Sequence, residues 1–124
     1  MKSSKLMKLG LASAVALLFI TVFVSPSRPG GNFLYWASQP VKTGSIKTCY
    51  DFANDVMRLE HFQNIRRSAN EVAGFSGGTY AAITCVATKP QATAMVMVVG
   101  DDGNKTSKVR DTLKKKIAGI IRFD

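Results

Sequence analysis

Downstream of residue 48, Cys49, Phe52, Ala53, Val56 and Leu59 recur every three or four positions, while Asp51, Asn54, Asp55 and Arg58 fall on the other side. That period predicts an amphipathic helix with one core face and one solvated face. Thr48 followed by Asp51 has the form of a capping box, which places the start of the helix at Thr48. Residues 64–75 carry Ile65, Ala69, Ala73 and Phe75 among polar neighbours, interrupted by Arg67 and Glu71, and read as one outer strand. Gly77 and Gly78 mark a turn before residues 80–88, a run rich in β-branched and aromatic residues that predicts a strand. Pro90 breaks the chain again, and residues 92–99 are apolar at both alternating positions, as in a strand covered at least partly on both faces. On this reading Met95 and Met97 fill core gaps. A turn over residues 100–104, with Asn104 or Thr106 as N-cap, leads into a last segment. There Val109, Leu113, Ile117, Ile120 and Ile121 repeat at helical spacing. The predicted fold is α+β: a helix, a three-stranded antiparallel meander, and a C-terminal helix packed on one sheet face.

The front of the chain follows a different pattern. Lys2, Lys5 and Lys8 precede a 16-residue apolar run over residues 9–24, and Ser25 and Ser27 bracket Pro26. This is the layout of a secretory signal peptide over residues 1–27, with cleavage expected after Ser27. The competing reading is an uncleaved anchor over residues 9–24, in which Phe33, Leu34, Tyr35 and Trp36 form an aromatic belt at the membrane interface. Sixteen helical residues span only about 24 Å against a hydrocarbon core of roughly 30 Å, which favours the cleaved leader. Both readings place the domain outside the cytoplasm, secreted or periplasmic. Residues 28–44, rich in Pro, Gly and Ser, read as a linker that docks locally, and residues 45–124 as a single α+β domain.

Export changes how the charge and the cysteines are read. The formal charge of +9 drops to +6 without the leader, since 14 Lys and Arg face 8 Asp and Glu from Arg28 onward. Arg66 and Arg67 on the outer segment and Lys114, Lys115 and Lys116 on the last helix are the candidate anion-binding residues. They suit an acidic protein, a cell-wall polymer or an anionic membrane surface. Nucleic acid is excluded as a partner by the location and by the lack of a recognised module. Cys49 and Cys85, with 35 residues between them in a chain bound for an oxidising compartment, are expected to pair. The bridge would tie the first turn of the first helix to the strand beneath it. The segments TCYDFA, GGTYAAITCV, MVMVVGDD and IIRFD resemble those of small exported bacterial proteins of uncharacterised function that share a leader and a Cys pair. The resemblance implies a location and no activity.

Candidate chemistry is sparse. GDDGNKTS fails as a phosphate-binding loop: Gly100 is one residue too close to Lys105, Asn104 stands where a second Gly is required, and Asp101 and Asp102 repel phosphate. Asp101, Asp102 and Asn104 lack the alternation and the closing Glu of a calcium loop, so no metal site is assigned there. His61 is the sole imidazole; it adjoins Glu60, and adjacent helical residues point in different directions, so no acid–base dyad follows. Glu60 is expected to escape at a frayed helix end or to pair with Arg66 or Arg67. Met95 and Met97 with Met57 and His61 would be a soft ligand set for Cu(I). The sequence thus reads as an exported, non-enzymatic binding or interaction domain without a cofactor, the alternative being a periplasmic small-ligand or copper carrier.

Overall fold

The computed structural model describes residues 32–121. The signal peptide over residues 1–27 and its anchor alternative lie outside the described residues. Among the described residues, no helix is long and apolar enough to cross a membrane.

The elements follow in the order β1 (Phe33–Pro40), α1 (Ile46–Leu59), β2 (Gln63–Arg67), β3 (Val72–Ser76), β4 (Thr79–Val86), β5 (Thr93–Gly100) and α2 (Gly103–Gly119). The strands form one antiparallel sheet in the order β1-β5-β4-β3-β2. The chain is therefore α+β, and the expected three-stranded meander is only part of a five-stranded sheet.

Two strands account for the difference. β1 lies within the stretch read as a linker, yet Phe33 to Pro40 pair residue by residue with Gly100 to Thr93. Its β signal was masked by flanking Gly and Pro and by apolar side chains on both faces, which leave no polar alternation to detect. The single outer strand over residues 64–75 is in fact two, β2 and β3. A tight turn joins them, in which the Ser68 Oγ accepts from the amides of Asn70 and Glu71 at 3.2 Å. Every residue of β2 but Ile65 is exposed, so β2 carries no periodic signal of its own.

Helix starts also sit earlier than the sequence suggests. Ser45, not Thr48, caps α1, and its side chain accepts from the Thr48 amide at 3.2 Å. Asp102, not Asn104 or Thr106, caps α2, its carboxylate accepting from the Lys105 amide at 2.9 Å. In each case an acceptor three residues ahead of an exposed amide satisfies it. The Gly77–Gly78 turn between β3 and β4 has φ of 42° and 80°, the left-handed pair that a two-residue hairpin needs and glycine supplies without strain.

Both helices cover the same face of the sheet. α2 packs on β1 and β5, while α1 packs on β4, β2 and β3 and against α2. Phe52, Val56 and Met57 from α1 and Leu113 and Ile117 from α2 are fully buried against Val72, Ile83, Val96 and Val98 of the sheet. Leu59, placed with the core by its spacing, is instead 65% exposed, because α1 ends there and Glu60 forms its C-cap. A disulfide joins Cys49 in the first turn of α1 to Cys85 on β4, with Cα atoms 6.1 Å apart.

Candidate functional site

Strand periodicity assigns every second residue of the sheet to the face opposite the helices. On β5 the helix side takes Ala94, Val96, Val98 and Gly100, all buried, and the outer side takes Thr93, Met95, Met97 and Val99. The registers then lay the outer residues in rows across the strands. One row runs Trp36, Met97, Ala82, Ala73, Arg66; the next runs Leu34, Val99, Tyr80, Phe75; a third holds Ser38, Met95 and Thr84. Phe75 and Tyr80 pack as a tilted pair with ring centroids 4.9 Å apart.

This face is apolar and open. Leu34, Trp36, Phe75, Val86 and Met97 keep between 39% and 61% of their surface exposed. At roughly 150–250 Å² for a large side chain, these five leave about 500 Å² of apolar surface in water. Arg66, on the edge strand, is the single charged side chain in these rows. Met95 and Met97 thus belong to an open surface and not to the core, a correction to the sequence reading. β5 is apolar on both sides because one side meets the helices and the other belongs to this patch.

Each residue proposed for anion binding can now be placed. Arg66 points to the outer face of β2, while Arg67, one residue on, points to the helix side and pairs with Asp51 at 2.7 Å. Lys114, Lys115 and Lys116 ride on α2, which packs on β1 and β5 at the other side of the sheet from β2. The two basic clusters therefore do not converge. Glu60 lies at the helix end, as the α1 C-cap, and of the two arginines considered for it Arg67 is bonded to Asp51. The cations of α2 have local roles as well: Arg110 lies 5.6 Å from the Tyr35 ring centroid and pairs with Asp111, and the Lys105 ammonium donates to the Gly77 carbonyl.

The soft ligand set is split. Met57 is buried between α1 and the sheet, whereas Met95 and Met97 occupy the opposite face. His61 stands exposed just past α1, with a left-handed φ of 60°. Among the described residues no group of three or more His, Cys, Asp and Glu side chains could hold a metal ion. A cleft of about 210 Å³ beside α2 is lined by Glu60, Phe62, Lys105, Lys108 and Leu113, and hollows of about 510 and 710 Å³ lie at Asp55, Arg58, Leu59 and Ile120 and at Gly44 with residues 87–90.

Among the described residues, a two-layer α+β domain with one sheet face uncovered is the class that fold and surface define. Comparison with protein-family models and with curated proteins finds no match for this chain. Sequence reasoning missed Leu34, Trp36, Phe75, Tyr80 and Val99 as a surface. The signal was present in the two-sided apolar strands FLYW and MVMVV, set in a chain whose two helices suffice for one face only.

Proposed function

We propose that this chain is an exported, non-enzymatic interaction domain that works through the open face of its sheet. The observation that carries the reading is the continuous apolar surface around Trp36, Leu34, Met97 and Phe75, almost free of charge. Monomeric proteins rarely leave a contiguous apolar patch of more than about 300–600 Å² in water, and larger ones mark interaction sites. Removing about 500 Å² of apolar surface from water contributes on the order of 12 kcal/mol, which is of the size needed to offset the roughly 4–15 kcal/mol lost to association.

The cations of α2, on the opposite layer, support a secondary attraction to acidic surfaces, which salt would weaken. That attraction acts at the helix layer, apart from the contact that the sheet face makes.

The test is a photoreactive amino acid introduced at position 36 and, separately, at position 115, followed by irradiation in living cells. The reading expects covalent adducts from position 36. Adducts from position 115 alone would transfer the function to the basic helix, and no adduct from either position would overturn the reading.

A further inference from the structure

We propose that the partner on the open sheet face is a second copy of this chain, packed face to face about a two-fold axis as a four-layer helix–sheet–sheet–helix dimer. This inference rests on the reading of that face as the binding surface, and it names the occupant.

Area is the first argument. The five most exposed side chains leave about 500 Å², and half-buried Met95, Val99, Tyr80, Thr84 and Thr93 bring the face to the order of 800 Å², the usual contribution of one partner to a stable interface. Five strands about 4.8 Å apart form a face roughly 20 Å wide, enough for two sheets to stack at the aligned angle near −30°.

Shape is the second. Along the central row the bulk is lopsided: Trp36 and Met97 on β1 and β5 at one side, Ala82 and Ala73 on β4 and β3 at the other. Both alanines are recessed, at 6% and 2% exposure. A two-fold axis running along β4, the middle strand, exchanges β5 with β3 and β1 with β2. It sets Met97 of each copy over the recess at Ala73 of the other, with Ala82 near the axis. The same rotation brings Trp36 across from Arg66, the one cation on the face, where a guanidinium over an indole is favourable. In this row the large residues of each copy meet the small ones of the other, and in the next row Phe75 on β3 of one copy faces Val99 on β5 of the other.

Charge is the third. Lys105, Lys108, Arg110, Lys114, Lys115 and Lys116 all lie on α2, in the layer behind the sheet. Face-to-face pairing keeps these like charges at the two outside layers, farthest apart. An anionic membrane or an acidic protein would instead be drawn to the helix side.

Sedimentation equilibrium of the purified, disulfide-bonded chain tests the proposal. Trp36 is the only tryptophan, so its emission reports on this face alone. A dimer is expected, with a dissociation constant in the micromolar range or tighter and a blue shift of Trp36 emission that tracks its formation. Trp36→Glu should weaken it by about 100-fold or more, since each dimer loses two copies of a central aromatic. Met97→Lys should act in the same direction, Arg66→Ala should cost about 2- to 5-fold, and Lys115→Glu should leave the dimer intact. Circular dichroism confirms that each variant is folded. A monomer at all concentrations, or a dimer indifferent to both Trp36→Glu and Met97→Lys, overturns the proposal. The position-36 adduct separates the two levels: twice the chain mass supports the dimer, another mass refutes the dimer while the docking face stands, and no adduct refutes both.

Discussion

Removal of the Cys49–Cys85 bridge is the perturbation whose magnitude follows most directly from the structure. The two residues are 36 apart in sequence, and the loop that the bond closes contains α1 from Cys49 onward, all of β2 and β3 and most of β4. Loop-closure entropy for a ring of that length is worth about 4 kcal/mol at 25 °C. A domain of this size has on the order of 5–14 kcal/mol in all, so the bond accounts for a large fraction of it. At roughly 4–8 °C per kcal/mol, the double variant Cys49→Ala/Cys85→Ala should melt about 15–30 °C below the oxidised protein. The assay is a circular-dichroism melt of both proteins at one fixed concentration, since the proposed self-association would make Tm concentration-dependent. Urea unfolding should show the same loss of stability, with a steeper slope for the uncrosslinked chain because its unfolded state exposes more surface. Because the bond pins α1 to the sheet, amide exchange in α1 should accelerate more than in β5. A fall in Tm of less than about 5 °C, with the oxidised state verified by a mass two hydrogens lower, would refute the reasoning.

Gly100→Ala should cost about 1–3 kcal/mol in urea unfolding, because a Cβ there meets the Thr106 hydroxyl, the Thr79 methyl and the Gly78 carbonyl; adding Thr106→Ala should recover part of the loss. Leu113→Ala, at a fully buried site between α2 and the sheet, should cost about 2–5 kcal/mol by the same measurement, whereas exposed Lys115→Ala stays within about 0.5 kcal/mol of the parent. Asp102→Ala should lower stability by about 1 kcal/mol through loss of the α2 cap, with Asp102→Asn close to neutral in the thermal melt.

Apolar periodicity by itself determined both helices and the strands β4 and β5. For each of these elements one local signal sufficed, a 3.6-residue repeat running through Leu113 and Ile117 or a β-branched run bounded by Gly78 and Pro90, while the pairing of Cys49 with Cys85 is expected from the cysteine count together with the expectation of export. β1 was not legible, because FLYWASQP shows apolar side chains to both sides and borders on Gly and Pro, so neither alternation nor length set it apart from a loop. β2 was not legible either, since its exposed residues on an edge strand need no pattern and its strand state depends on hydrogen bonds to β3. The open apolar face of the sheet was the least legible of all. Whether Met95 and Met97 lie in a core or on a surface depends on which layers exist beyond the sheet, and that is a property of the whole packing. Both helices cover one side of the sheet, where α1 and α2 also meet each other, so among the described residues no element covers the apolar residues of the other side. The sequence determined which residues are apolar and at what period; the tertiary structure alone decided which of the two apolar faces was covered, because helices pack on a sheet through contacts that no local period encodes.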